Sequence, residues 1–399
     1  MTPELALALI VAAAATSQII AARLGVPAIV PLLIAGCLMG PYVLDVFDPE
    51  QLFGELLTPM VSLAVGVILF EGGVELRARD LRHGAGRVVT RLVTLGVAVT
   101  WGLITAAAIL VLDIDARVAV ILGAILTLSG PTVVLPIVDF IRPTERLATI
   151  LRWEGIIIDP IGAILAVLTY GAVVSGDTGS FEIGGFAATV FVGAVVGLVF
   201  GVILAAILGY ERLSSSIKAS AMLAVVFLSV AIASAIREDA GLVAAIALGI
   251  SLTHIHKTAL EESSKLFTQS LVTIIIGTVF IVLSATVDPK AVISLGWPAL
   301  VFVALIILVF RPVSVALCTW GSRLTTPERA FLGGMMPRGI VAAATVAAFE
   351  KGLAKDGIPD AELLVPVAFL VIAVTVFVYG LSAKPYATAL RVTVGRNRD

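Results

Sequence analysis

The chain has 399 residues, of which 59% are hydrophobic and 14% charged, with a net charge of −2; ordinary soluble domains have roughly 45–50% and about 25%. That composition excludes a soluble globular protein, and the missing basic surplus excludes a nucleic-acid binder. The only cysteines, Cys37 and Cys318, fall inside apolar stretches, so neither a disulfide framework, a metal cluster nor a cofactor is expected.

A bilayer-crossing helix needs about 20 mostly apolar residues. In chain order this rule gives thirteen spans: 4–22, 27–44, 54–71, 90–112, 117–139, 150–174, 185–209, 217–236, 240–254, 267–287, 297–319, 330–349 and 363–384. The fold class is therefore an all-α polytopic membrane protein. The first charge is Glu4, with no cationic segment before the first span, so that span is expected to be retained rather than cleaved as a signal. Placing the N-terminus outside puts nineteen of the 26 Lys and Arg on inner segments and five on outer loops, namely Arg117, Arg237, Lys290, Lys351 and Lys355. Cytoplasmic loops collect Lys and Arg, so the expectation is a cell-membrane protein with its N-terminus outside and C-terminus in the cytoplasm. His83, His254 and His256 all fall in inner loops, where solvated side chains are the plain reading.

Span 5 carries Leu126-Thr-Leu-Ser-Gly-Pro131-Thr-Val-Val-Leu-Pro136. A proline removes a donor and clashes with the carbonyl four residues earlier, so Pro131 frees the Thr127 carbonyl and Pro136 that of Thr132. A monovalent cation is one partner for such carbonyls, and Thr127, Ser129 and Thr132 add hydroxyl oxygens. Span 12 repeats the device in Gly333-Gly-Met-Met-Pro337-Arg-Gly339. Gly/Pro-interrupted spans at matching places in two halves point to a secondary transporter built from inverted repeats, and the offset of seven spans inverts the second copy. Two crossed discontinuous helices are expected, with breaks at Gly130, Pro131, Pro136, Pro337 and Gly339, and Pro160 disturbing span 6.

Four charges lie well within spans, away from their ends: Glu154, Asp159, Arg311 and Arg338. Buried charges persist when paired or facing water, so these are expected to converge. At about 1.5 Å per residue, Asp159 lies roughly 13 Å and Arg338 roughly 12 Å from the inner ends of their spans, both near the midplane. Gly155, Asp159, Gly162, Ala163 and Ala166 recur at helical spacing, a small-residue stripe that admits another backbone and suits a cavity around the carboxylate. Glu154 points about 140° away from Asp159 round the helix and fits an ion pair with Arg338.

Glu154-Gly-Ile-Ile-Ile-Asp159, Ser129-Gly-Pro131-Thr, Phe70-Glu-Gly-Gly73, Arg311-Pro-Val-Ser-Val and Pro337-Arg-Gly339 together resemble the monovalent cation:proton antiporters, in the NhaP-like branch of sodium/proton exchangers. The resemblance implies a homodimer with a scaffold of residues 1–71 and 217–287, a mobile core of 90–174 and 297–384, and a linker at 185–209. It implies Asp159 as the shared proton and cation carboxylate, Glu71 as an accessory ligand, and Glu154 and Arg338 as structural charges. The chain departs from the family pattern at Gly130, where an acid is usual, at Ile158, where Asn or Asp precedes the key aspartate, and at Gly155, where serine is frequent. The choice among Na⁺, K⁺ and Li⁺ therefore stays open.

The function expected is electroneutral exchange of a monovalent cation for H⁺, with competition at one carboxylate supplying the coupling. The alternatives are a cation channel, since broken helices also line pores, and an exchanger fold with a different or lost substrate. An enzyme is not expected: an intramembrane aspartyl hydrolase wants two carboxylates sharing a site, and Asp159 has no second aspartate at its depth.

Overall fold

A computed structural model describes residues 2–24, 26, 28–76, 85–175, 183–210, 213–237, 240–255 and 262–393. The principal helices are α1 (Pro3–Leu24), α2 (Ile29–Met39), α3 (Leu57–Glu75), α4 (Ala85–Leu112), α5 (Ala116–Ile125), α6 (Pro131–Ile141), α7 (Glu145–Ser175), α8 (Ile183–Leu208), α9 (Ser215–Ile236), α10 (Ala240–Ile255), α11 (Glu262–Ala285), α12 (Gly296–Cys318), α13 (Thr326–Gly333), α14 (Ile340–Lys355) and α15 (Leu364–Ala389). Among the described residues, α1, α4, α7, α8, α9, α12 and α15 are long and apolar enough to cross a bilayer unaided, and the bent pair Pro49–Leu56 and Pro59–Val74 adds an eighth if taken as one span. Span 267–287 lies largely in the 24-residue α11, and the other sequence spans are short helices or broken pairs, because apolar residues in turns and breaks do not lengthen a helix. The stretch 27–44, for example, yields only the eleven residues of α2. The chain turns at Gly40, with Leu44, Asp45 and Val46 amides donating back to the carbonyls of Leu38, Gly40 and Met39.

The short α10 is held by protein rather than by lipid. It lies along α8 and α3, and a Cβ at Gly73 would fall 2.7 Å from the Ile246 carbonyl oxygen, while one at Gly249 would fall 2.8 Å from the Val74 nitrogen. Small residues on both helices let the two backbones touch, so the length of α10 is set by its neighbours.

Spans 5 and 12 break where Gly and Pro cluster. Residues 126–130 separate α5 from α6, and 334–339 separate α13 from α14. Pro131 opens α6 in its first turn, where its missing N–H costs nothing. Pro136 and Pro160, read from the sequence as further breaks, sit inside continuous helices. Each removes one hydrogen bond, and the packing of neighbouring helices carries the rest. The two breaks meet backbone to backbone: a Cβ at Gly339 would lie 2.5 Å from Gly130 Cα and 2.6 Å from its nitrogen.

The repeat extends to spans 4 and 11. Both α4 and α12 contain a five-residue π-helical segment, Leu92–Gly96 and Ile306–Phe310. The second immediately precedes Arg311-Pro312, where Pro312 cannot donate to Leu308. The last part of α12 packs on the α4 segment, with Ser314 Oγ donating to the Gly96 carbonyl and Cys318 Sγ to that of Arg91, each at 3.3 Å.

The Gly339 backbone is extended, so any residue fits its torsions, and only the contact with Gly130 forbids a side chain. Gly339→Ala is expected to cost roughly 1–3 kcal/mol by overpacking and to lower the melting temperature in detergent. Gly102→Ala, whose added Cβ would meet nothing within 4 Å, is expected to leave it unchanged or raised.

Candidate functional site

Helix α7 is the wall against which the span 5 break is built. A Cβ at Gly155 would approach Val134 on α6 at 3.2 Å, and one at Gly162 would approach Leu128 at 2.9 Å and Thr127 Oγ1 at 3.1 Å. Asp159 lies on the same helical face between these contacts.

The Asp159 side chain is fully buried, and neither carboxylate oxygen has a hydrogen-bond partner. The small-residue stripe brings Leu128 and Val134 directly onto α7. A hollow of about 10 Å³ lies at the crossing, lined by Ser129, Glu154, Arg311 and Pro337 among others. It is at the lower limit for one water molecule, and Asp159 is not among its lining residues.

The two buried arginines each answer the end of a broken helix. Arg338 NH1 donates to the Thr127 carbonyl at 3.1 Å, with the Leu128 carbonyl at 3.5 Å. The carbonyl that Pro131 leaves free is thus taken by a guanidinium, where the sequence pointed to a cation. Arg311 Nε donates to the Leu332 carbonyl at the end of α13 at 3.0 Å, and its two terminal nitrogens hold both Glu154 oxygens at 2.5 and 2.9 Å. Glu154 therefore pairs with Arg311, not with Arg338. The outward turn of Glu154 from Asp159 faces it to α12 and the α13 end, while Arg338, beyond the break, points to span 5.

Other predicted residues divide. Thr127 is fully buried and its hydroxyl donates to the Ala124 carbonyl at 2.7 Å, so its lone pairs alone remain for an ion. Ser129 is buried against the hollow. Thr132 lies in the first turn of α6; its side chain is outside those described. Glu71 is half-buried on α3, one residue before Gly72, whose Cβ would meet Ile156 of α7 at 3.0 Å. Of the histidines, His83 and His256 lie outside the described residues, and His254 is exposed with its Nδ1 2.8 Å from the Ile250 carbonyl of its own helix.

Helix α15 contributes two residues that sequence reasoning passed over. The Arg338 amide donates to Thr375 Oγ1 at 3.3 Å, and buried Tyr379 hydrogen-bonds with the Met336 backbone. Polar side chains four apart in an apolar span were the available signal. Removing one member of a buried ion pair costs about 3–5 kcal/mol, so Arg311→Met should destabilise strongly and Glu154→Leu should recover much of the loss. A thermal double-mutant cycle should give large coupling for Glu154 with Arg311 and a clearly smaller one for Glu154 with Arg338.

The model of the family described as sodium/hydrogen exchanger, transmembrane, matches residues 6–389. The chain is 25% identical to the K(+)/H(+) antiporter NhaP of Alkalimonas amylolytica over 95% of its own length and 65% of that protein's. It thus spans just under two thirds of that relative. It is 24% identical to the probable Na(+)/H(+) antiporter 2 of Methanocaldococcus jannaschii, over 93% of each chain. The fold is that of the sodium proton antiporter MjNhaP1 from the same organism, at TM-score 0.81 and 22% identity over 97% of this chain and 99% of that one. With the match reaching across both broken spans and Glu154, Asp159, Arg311 and Arg338, this chain belongs to the sodium/hydrogen exchanger family.

Proposed function

We propose that the chain exchanges a monovalent cation, Na⁺ or K⁺, for H⁺ by alternating access, with Asp159 as the carboxylate that the two ions share. The observation that carries this reading is a fully buried carboxyl with no hydrogen-bond partner on either oxygen, seated beside the crossing of two broken helices. An ionised carboxylate in apolar surroundings demands compensation. Here no arginine supplies it, so a proton or a cation does, and never both at once. The closed surroundings of Asp159 belong to an occluded conformation, and movement of a core (residues 90–174 and 297–384) against a scaffold (1–71 and 217–287), linked by α8, opens it to each side in turn.

The assembly is a homodimer in the cell membrane, with its N-terminus outside and its C-terminus in the cytoplasm. The positive-inside distribution of Lys and Arg supports that orientation. The chain acts as a transporter rather than an enzyme. Na⁺, K⁺ and Li⁺ are the candidate ions, with Ser129, Thr127, Thr132 and Glu71 supplying further oxygens. A channel is the second reading, and the full burial of Asp159 speaks against a continuous pore.

In proteoliposomes, Asp159→Asn is expected to reduce cation-driven proton flux to that of empty vesicles, while the melting temperature holds or rises; undiminished flux would overturn the assignment. One carboxylate carrying one charge in each direction also sets the voltage response. The wild-type exchange rate is expected to stay the same whether the membrane potential is clamped or free, and a rate that follows the potential would remove the one-for-one stoichiometry.

A further inference from the structure

Away from the crossing, the link between α12 and α13 is held in an unusual way. Four of its carbonyls are taken by arginines from three other positions in the fold. Arg91 of α4 donates to Trp320 at 2.7 Å and Arg146 of α7 to Arg323 at 3.1 Å, while Arg329 of α13 donates to Ser322 at 3.0 Å and Leu324 at 3.1 Å. Arg323 itself is exposed on the same link. Each guanidinium has five donors, so every one of these clamps keeps donors and its full charge to spare, and the buried Nε of Arg146 has no partner at all. Among the described residues none of the four arginines makes an ion pair. The carboxylates next to these arginines in sequence are Glu145, which opens α7, and Glu328, which accepts from the Thr325 amide at 2.7 Å in a capping box.

Beside this basic link a cleft of about 920 Å³ runs between α12, α13 and α15, lined at one end by Trp320 and Arg329 and at the other by Leu308 and Val378. Trp320 is 76% exposed and Leu308 71%, so the cleft opens outward from the helices. Twelve residues of helix and turn separate them, about 18 Å at helical rise, which matches half of a hydrocarbon core about 30 Å thick. An exposed tryptophan just past the end of a membrane helix marks the level of the headgroups.

We propose that this cleft is a binding site for an anionic phospholipid, its phosphate at the arginine-clamped link and one acyl chain along α12 toward Leu308. The charge of the mouth selects the headgroup and the apolar depth selects a lipid over a soluble phosphate. Clamping beforehand leaves the link little conformational freedom to lose on binding.

The test uses the full chain with Trp320 as its only tryptophan, reconstituted in phosphatidylcholine with a low mole fraction of brominated phosphatidylglycerol or, in parallel, brominated phosphatidylcholine. A lipid in bulk contact quenches Trp320 equally in either form. The site predicts an enrichment of the anionic lipid of about fivefold or more, the scale set by one arginine near a charged lipid surface. The preference should fall in Arg323→Gln, whose side chain is exposed, and fall further in Arg329→Gln. It should persist in Arg329→Lys, which keeps the charge but loses the forked caps. Equal quenching by the two lipids overturns the proposal. So does a preference that survives loss of both Arg323 and Arg329, or one that disappears in a folded Arg329→Lys.

Discussion

Two helices end inside the membrane-spanning part of this protein, and the carbonyls they leave open must be answered without bulk water. The rest of the site follows from how that is done. Arg338 caps the end of α5 and Arg311 caps the end of α13, so the negative end of each half-helix meets a fixed positive charge. The inverted repeat is thus chemical as well as geometric, since one guanidinium stands at each break. Backbone contact at Gly130 and Gly339 then locks the breaks together, and Arg338 could not serve the Thr127 carbonyl if the crossing opened by a few ångströms.

Capping by arginine brings charge that itself needs an answer. Glu154 neutralises Arg311 with a two-pronged pair. Arg338 is compensated by a helix end worth about half a charge and by no carboxylate within ion-pair distance among the described residues. The four buried groups sum to zero when Asp159 is ionised and to one positive charge when it carries a proton. A bound monovalent cation on ionised Asp159 gives that same total of one positive charge. Under the proposed exchange the two loaded states are electrically alike, and this equality is the physical ground for expecting no net charge movement.

The breaks themselves were legible, because Gly and Pro at membrane depth have few other uses. Which prolines break a helix was not legible: Pro131 does so by opening a new one, whereas Pro136 and Pro160 are absorbed by neighbours that the sequence does not name. Depth alone pointed to all four charges converging; Glu154, Arg311 and Arg338 gather at the crossing, and Asp159 stands without a charged partner among the described residues. The pairing was not legible, since Arg311 and Arg338 are both plausible partners for Glu154 until the point at which α13 stops is known. The π-helical segments in α4 and α12 carry no motif that separates them from ordinary apolar helix. Two departures from the family pattern now have a steric account. A side chain at residue 155 would press on Val134, so glycine suits this packing better than serine. Ile158 is buried in the apolar core, where an amide would need hydrogen-bond partners of its own.

Those replacements thin the supply of oxygen around Asp159. The Thr127 and Leu128 carbonyls, natural ligands for an alkali ion at a broken helix, already face Arg338, and the Thr127 hydroxyl proton is spent on Ala124. Among the described side chains at the span 5 break, what remains beside the carboxylate is the lone pairs of Thr127 and the hydroxyl of Ser129. An ion entering so sparse a shell either retains waters, for which the present hollow has no room beyond about one, or draws Arg338 off its carbonyls. Either course requires the break to loosen around α7. The packing that seals Asp159 therefore also opposes cation entry, and binding an ion is inseparable from moving the two half-helices that the arginines hold.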